Sequence, residues 1–387
     1  MWSLWGSIEA ANTIQAGNSL GKMSEHPLGA MPKVVKQRLS SVPTEYGRPG
    51  QAERLTVRQR QRRGVKEQIA VVIPSYRVST VILNVIRKIG PEVVRIYVID
   101  DCCPDQSGSS VQSICKDERV TVIRHQENQG VGGAVMTGYQ KAIDDGMDII
   151  VKVDGDDQMD ASLIPSFVSP IIVGEADYTK GNRFFYVENT RAMPSIRLFG
   201  NTVLSFLTKV SSGYWDVFDP TNGFTAIHRD VAQHLPFQKI SRRYFFETDM
   251  LFRLNTLRAV VMDVPMEAKY GGELSNVRIN KIIGEFLLKH LRNFLIRVFY
   301  NYYLRDMSLA SIELPVGLIM FVFGTVFGSY HWVRSILLGV SASAGTVMVA
   351  SLSVILGLQF ILAFLSYDIR SVPQKPVHRA LKSIGES

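Results

Sequence analysis

Two runs near the carboxy terminus restrict what the chain can fold into more than any other feature. Residues 314–333 and 335–367 contain no Asp, Glu, Lys or Arg. A helix needs about 20 mainly apolar residues to cross the hydrocarbon of a bilayer. The first run fits one such helix. The second is longer than required, so its helix is placed at 344–366, with Arg334 and the residues after it as the connecting loop. A buried hairpin of a soluble protein is the alternative. The flanks favour a membrane: Lys289, Arg292, Arg297 and Arg305 precede the first run, and Arg370, Lys375, Arg379 and Lys382 follow the second. The positive-inside rule then puts both flanks in the cytoplasm, joined by a short external hairpin. Residues 279–305 read as an amphipathic helix with basic and aromatic residues. An ordinary surface helix shares that pattern, but the adjacent span favours a membrane-interface helix.

The net charge is +8 over 387 residues, which raises nucleic acid, anionic lipid or a phosphorylated substrate as partners. The basic residues concentrate in 58–66, in 278–305 and after Tyr367, and the last two groups flank the apolar runs. That distribution favours a membrane over nucleic acid. Residues 1–66 are rich in Ser, Gly, Pro, Gln and Arg without periodicity, and are expected to be a disordered basic extension. The opening MWSLWGSIEA lacks the basic and apolar regions of a signal peptide. Cys102, Cys103 and Cys115 make neither a zinc spacing nor a disulfide framework, so free thiols are expected.

From Gln68 to Gly155 apolar strands alternate with helical segments. The strands are IAVVIP (69–74), VRIYVID (94–100), VTVIRH (120–125) and DIIVKVD (148–154). Helices are expected at 79–89, through SSVQSICK, and from Gly130 to Asp145. Continuous apolar strands in such alternation argue for a parallel sheet covered on both faces. Ligands bind such sheets at the carboxyl ends of the strands. Pro74-Ser75-Tyr76, Asp100-Asp101 and Asp154–Gln158 all fall there.

The last of these, DGDDQMD, is either a solvated acidic turn or a cation site, because clustered like charges destabilise unless a positive group joins them. Asp154, Asp156 and Gln158 are spaced i, i+2, i+4, so an extended turn aims them to one side. Hard divalent cations take oxygen ligands and share them with substrate phosphates. Asp100 could accept hydrogen bonds from a base or ribose. The G-x-G-x-x-G of a nicotinamide site is absent after the first strand, where PSYRVST stands, and there is no P-loop. A nucleotide-sugar site fits better.

Taken in order, IAVVIPSYR, VIDDCCPDQS, NQGVGGAVMTGY, VDGDDQ, KGNRF (180–184), DPTNGF (219–224) and FFETDML (245–251) resemble the inverting glycosyltransferase family 2 with its GT-A fold. More narrowly they resemble its membrane-anchored polyprenyl-phosphate glycosyltransferases, relatives of dolichyl-phosphate mannose synthase. The resemblance covers 68–367. It implies an α/β GT-A domain with a Rossmann-like mixed sheet over 67–277, an amphipathic juxtamembrane segment over 278–310, two transmembrane helices within 311–367 and a cytoplasmic tail, 368–387. DGDDQ resembles D-A-D-L-Q, which carries metal (Mg or Mn) and diphosphate roles to Asp154, Asp156 and Gln158. KGNR resembles K-G-S-R and places Arg183 near a phosphate; Arg197 joins it by position, with Lys269 and Arg278 as further candidates. The nucleotide sugar is expected against Pro74, Tyr76, Asp100, Asp101, Gly130, Asp154 and Asp156.

Asp156 is the expected catalytic carboxylate, and Asp219, Glu247 or Asp249 would contact the sugar or act as base. For these last three a capping or loop-bracing role is an equal reading, while His125 and His228 read as structural and Gly223 as a turn residue. The sequence departs from the family's P-x-Y-N-E at PSYRVS and lacks the Q-x-x-R-W of processive synthases. The implied reaction is transfer of one sugar from a nucleotide-diphosphate sugar to a polyprenyl phosphate at the cytoplasmic membrane face, with both termini cytoplasmic. It leaves room for a homo-oligomer and calls for no nucleic acid. A glycosyltransferase acting on a hydroxyl, and a non-catalytic scaffold or flippase subunit, are the other readings.

Overall fold

A computed structural model describes residues 67–186, 195–267 and 279–385. The expected extension 1–66 lies outside the described residues, as do Lys269 and Arg278. Seven strands form one sheet: β1 (Ile69–Ser75), β2 (Val93–Asp100), β3 (Val120–Arg124), β4 (Ile149–Lys152), β5 (Tyr178–Asn182), β6 (Thr225–His228) and β7 (Val261–Pro265). Their order is β3-β2-β1-β4-β6-β5-β7. The four strands expected from sequence are parallel, as are β5 and β7; β6 runs antiparallel between β4 and β5. The sheet is therefore mixed, as the family resemblance implies.

The apolar strands divide their side chains by parity. Ala70, Val72, Tyr97, Ile99 and Ile150 enter one core. Ile69, Val71, Ile96, Val98 and Val151 enter the other. A strand with both faces covered needs no polar alternation, which is why these runs are continuous. Helices α1 (Ile82–Lys88), α2 (Ser107–Ile114) and α4 (Ile164–Ile172) contribute to the second core. Helix α3 (Gly130–Asp144) belongs to the first, with α6 (Arg229–Gln233) and α7 (Phe246–Thr256). Helix α5 (Ser195–Ser212) follows β5 and packs on α8 (Ile279–Phe299).

Among the described residues two helices are long and apolar enough to cross a membrane, α9 (Ala310–Leu338) and α10 (Ala344–Arg370). Both exceed the sequence expectation. Arg334 lies inside α9 rather than in the loop, which is residues 339–343 and opens with Gly339 in the left-handed conformation. The expected interface helix is α8, continued by a π-helical turn, Tyr300–Arg305. Leu287, Leu288, Leu291 and Leu295 are exposed along it.

The flanking arginines are not all headgroup-facing charges. Arg297 is 1% exposed and grips Asp368 of α10 through Nη1–Oδ1 at 2.6 Å and Nη2–Oδ2 at 3.0 Å. Tyr302 Oη and Trp215 Nε1 donate to the same carboxylate at 2.5 and 2.8 Å. Arg305 donates to the Thr256 carbonyl. The tail beyond α10 also docks. Val372 is buried in the first core, and Asp177 accepts hydrogen bonds from the amides of Val377 and His378, both at 2.9 Å. The His378 ring stacks on His228 at 4.4 Å and opens α11 (His378–Gly385), which packs on α6.

Removing one partner of a buried ion pair strands the other charge, at a cost of about 3–5 kcal/mol. Asp368→Asn is expected to lower the thermal midpoint of the detergent-solubilised protein by several degrees. Glu285→Ala, which breaks the exposed Glu285–Lys289 pair, should hardly move it. Equal shifts in the two variants would show that the Arg297–Asp368 pair does not hold the fold.

Candidate active site

The carboxyl ends of β1, β2, β4 and β5, and the turn entering β6, lie along one edge of the sheet, because β6 alone among these strands is reversed. Pro74 is half-buried at the end of β1. Tyr76 follows, exposed, with the Arg77 guanidinium 5.5 Å from its ring centroid. Asp100 and Asp101 are buried and brace loops. Asp100 accepts from the amides of Cys103 (2.8 Å) and Gly108 (2.9 Å), which fixes the start of α2. Asp101 accepts from the amides of Gln129 (2.8 Å) and Gly130 (2.7 Å) and from His125 Nδ1 (2.8 Å), which caps α3. Both acids shape the edge by holding backbone, and His125 is structural, as expected.

The acidic stretch is a tight turn rather than an extended one. Asp157 takes φ +60, the Gln158 amide donates to Asp156 Oδ1 at 3.1 Å, and Asp157 Oδ1 pairs with Lys88 Nζ at 2.5 Å. Asp154 stands at its start, partly exposed. Beneath it lies Lys152, 1% exposed, with Nζ 2.8 Å from Asp154 Oδ1 and 3.5 Å from Glu247 Oε1 in the first turn of α7. Burial alone would push the Lys152 ammonium toward neutrality, but the Asp154 and Glu247 carboxylates outweigh it and hold the proton. Gly223 closes over the pair. A Cβ there would sit 2.3 Å from Asp154 Oδ2 and 2.5 Å from Lys152 Nζ, so close approach, not only a turn, demands glycine.

A second lysine, Lys180, lies two strands across the sheet, on the far side of β6. Lys152 and Lys180 are both in register with Thr225 of β6, so the three share a face, and Lys180 is in register with Asp263 of β7. Lys180 is 1% exposed and donates to the Asn222 carbonyl. Burial lowers its pKa to about 8. Asp263 accepts from Asn182 Nδ2 (2.9 Å) and the Phe218 amide (3.0 Å), and burial raises its pKa to about 6. At the mouth of this region Arg183 binds Asp219 with two bonds, Nε–Oδ2 at 2.8 Å and Nη2–Oδ1 at 3.0 Å. Asp219 is fully buried, whereas the Arg183 side chain is 30% exposed.

The acids expected as sugar contacts or bases are thus placed differently from one another. Asp219 orients Arg183. Asp249 is buried and accepts from the Ser241 amide (2.8 Å) and Asn293 Nδ2 (3.0 Å), bracing the loop before α7 against α8. Glu247 alone faces the Asp154 side. Arg197 belongs to the first turn of α5, and its side chain is outside the described residues. Lys180 stands in the quoted motif KGNRF without an expected role of its own, and Lys152 escaped the sequence reading, although a lysine inside DIIVKVD, an otherwise apolar strand, was the available signal.

Among the described residues no three His, Cys, Asp or Glu side chains gather in a cluster able to hold a metal ion. Asp154 and Asp156 offer carboxylates and Gln158 an amide oxygen, all partly exposed at the edge. This is a hard-oxygen donor set, short of a full shell, of the kind Mg²⁺ completes with substrate phosphate and water. The residues fit such an ion.

Residues 70–235 match the sequence family described as Glycosyl transferase family 2. The match is shorter than the 68–367 covered by the resemblance in the motifs. The chain is 28% identical over 216 residues to a UDP-N-acetylglucosamine–dolichyl-phosphate N-acetylglucosaminyltransferase of Methanococcus voltae, covering 52% of this chain and 86% of that one. It is 26% identical over 204 residues to an undecaprenyl-phosphate mannosyltransferase of Micrococcus luteus, covering 51% and 82%. Glucosyl-3-phosphoglycerate synthase from Mycobacterium tuberculosis, solved with Mn²⁺ and UDP, aligns at 20% identity and TM-score 0.45 over 65% of this chain and 86% of that one.

The buried lysine gives stability a pH signature. Lys180 titrates near pH 8 in the folded state and near 10.4 when unfolded. Between those values the unfolded chain binds the extra proton, so stability rises with pH, by about 3 kcal/mol across the window. The wild-type thermal midpoint minus that of Lys180→Met should therefore climb from pH 8 to 10. A flat difference would show that Lys180 keeps its proton when folded.

Proposed function

From a chain whose residues 70–235 belong to glycosyl transferase family 2, we propose a membrane-anchored enzyme that moves one sugar from a nucleotide-diphosphate sugar to a polyprenyl phosphate. The observation that carries the acceptor class is the engagement of the edge acids. A hydroxyl acceptor needs a general base to take its proton. Asp219 is held on both oxygens by Arg183, and Asp249 on both by Ser241 and Asn293. A phosphate monoester, with a second pKa of about 6, arrives already anionic and needs a cation instead. Arg183, oriented by Asp219 and partly exposed, is that cation, with Arg197 as its companion. The two relatives named above transfer different sugars, and the element common to their names is a polyprenyl phosphate.

The nucleotide would lie along Pro74, Tyr76, Asp100, Asp101 and Gly130, where carboxylate-braced loops fix the backbone and the exposed Tyr76 ring is free to stack. Asp154, Asp156 and Gln158 would hold Mg²⁺ or Mn²⁺, which neutralises the diphosphate as the sugar–phosphate bond breaks. An oxygen of the acceptor phosphate attacks the anomeric carbon opposite the leaving diphosphate. One C–O bond forms, the other breaks with its electron pair on the nucleotide, and a single displacement inverts the centre. No proton moves. Helices α9 and α10 would span the bilayer, with the exposed leucines of α8 in its interface and both flanks cytoplasmic. Such an anchor would serve to bring the sheet edge near a lipid headgroup.

A second reading rests on Glu247, whose carboxylate is 14% exposed beside Asp154 and could serve a hydroxyl acceptor as base. The two are separated by incubating the purified full chain in detergent with a polyprenyl phosphate, Mg²⁺ or Mn²⁺ and a panel of nucleotide sugars. Mass spectrometry should find a lipid-phosphate-sugar, lost with chelator and reduced by about two to three orders of magnitude in Asp156→Ala. Glu247→Gln should retain turnover when the cation is saturating. Its abolition, or sugar transfer only to a hydroxyl lipid, would move the assignment to the second reading.

A further inference from the structure

The family motifs do not account for Lys152. It interrupts a strand whose other residues, Ile149, Ile150 and Val151, are fully buried, and it shares their burial. An ammonium in that position requires a partner, since an unpaired buried ion costs several kcal/mol. It has two, on different elements: Asp154 at 2.8 Å and Glu247 at 3.5 Å. Asp154 is also the first of the three residues assigned to the divalent cation, and its side chain is 28% exposed toward the sheet edge. One carboxylate thus has an internal cation on its buried side and room for an external one on its open side. Gly223 leaves the pair its room, since a Cβ there would lie 2.3 Å from Asp154 Oδ2 and 2.5 Å from Lys152 Nζ.

We propose that Lys152 is a positioning residue that competes with the divalent cation for Asp154, with Glu247 as the partner it falls back on when the cation binds. The inference rests on the cation reading given above. Its consequence is a low affinity for the cation alone, because the ion must displace an ammonium already in contact. Diphosphate oxygens then supply the remaining ligands, so cation and nucleotide sugar are captured together. Glu247 acquires a role that needs no proton transfer: it receives the lysine.

Binding of Mn²⁺ alone to the full chain in detergent, followed by electron paramagnetic resonance, tests this without turnover. Lys152→Met leaves two carboxylates without their cation and may be compared only if its thermal unfolding remains cooperative. The double variant Lys152→Met/Glu247→Gln keeps the buried charge balanced and frees Asp154. It should bind Mn²⁺ about tenfold more tightly than wild type, the low end of what a neighbouring charge does at this range. Glu247→Gln alone should bind more weakly than wild type, since Lys152 then has only Asp154. A double variant with wild-type or lower affinity would overturn the proposal while leaving the cation site in place. Wild-type protein that binds no Mn²⁺ even with UDP present would remove the cation reading itself.

Discussion

The Asp368 carboxylate ties together parts of the chain that are far apart in sequence. It sits at the end of α10, yet its partners are Arg297 on α8, Tyr302 in the π-helical turn and Trp215 between α5 and β6. Arg297 in turn donates to the Val210 carbonyl at the end of α5. A charge pair this buried gives little net stability compared with apolar packing of the same volume. What it does give is direction, because a bidentate guanidinium–carboxylate contact has one geometry and greasy helices slide. The apolar hairpin therefore leaves the domain at a set place, and the tail that follows is sealed to the sheet by Asp177.

That attachment matters for the site because the same helices border it. Asn293 of α8 donates to Asp249, and Asp249 fixes the Ser241 amide just ahead of Glu247. A path of direct contacts thus runs from the helix expected at the membrane surface to the acid beside Lys152. The carboxyl edge is held in the same way on its other flank, where Asp100 and Asp101 bind backbone amides on α2 and α3. An edge braced by buried carboxylates is rigid before any ligand arrives, which suits a reaction whose catalysis is placement and charge.

The first four strands, the two apolar helices and the amphipathic helix were legible in the sequence because each follows from a run of one physical character. The apolar stretch of β1 can only be a covered strand, and 314–333 can only be buried or in lipid. The antiparallel β6 was not legible: TAIH is four residues long and its direction is set by pairing with β4 and β5, both distant in sequence. The positions Asp154, Asp156 and Arg183 were legible as chemistry, but their states were not. No local pattern says that Arg183 is clasped by Asp219, or that Asp101 is consumed in capping α3, since both contacts close over loops of more than 25 residues. Arg297 shows the same limit from the opposite side. Its position before an apolar run reads as a headgroup charge, and only the fold turns it inward to Asp368.

Lys152 and Lys180 carry this one step further. Lys152 stands in an apolar strand, where a lysine conflicts with the pattern around it, while Lys180 stands in β5, YTKGN, whose residues are mostly polar yet all buried. In register they meet Thr225 from opposite sides, so a buried lysine stands on each of the two strands flanking β6, on one face. The two are resolved oppositely. Lys152 has two carboxylates and keeps its charge, whereas Lys180 has a carbonyl and is pushed toward neutrality near pH 8. Two identical side chains at equivalent depth thus supply one fixed positive charge under the acidic turn and one weak acid under the DPTNG loop. The difference comes from which residues α7 and the β6 turn present to them, so the electrostatics of the edge are decided by tertiary packing on a sheet of which only the first four strands were readable in the sequence.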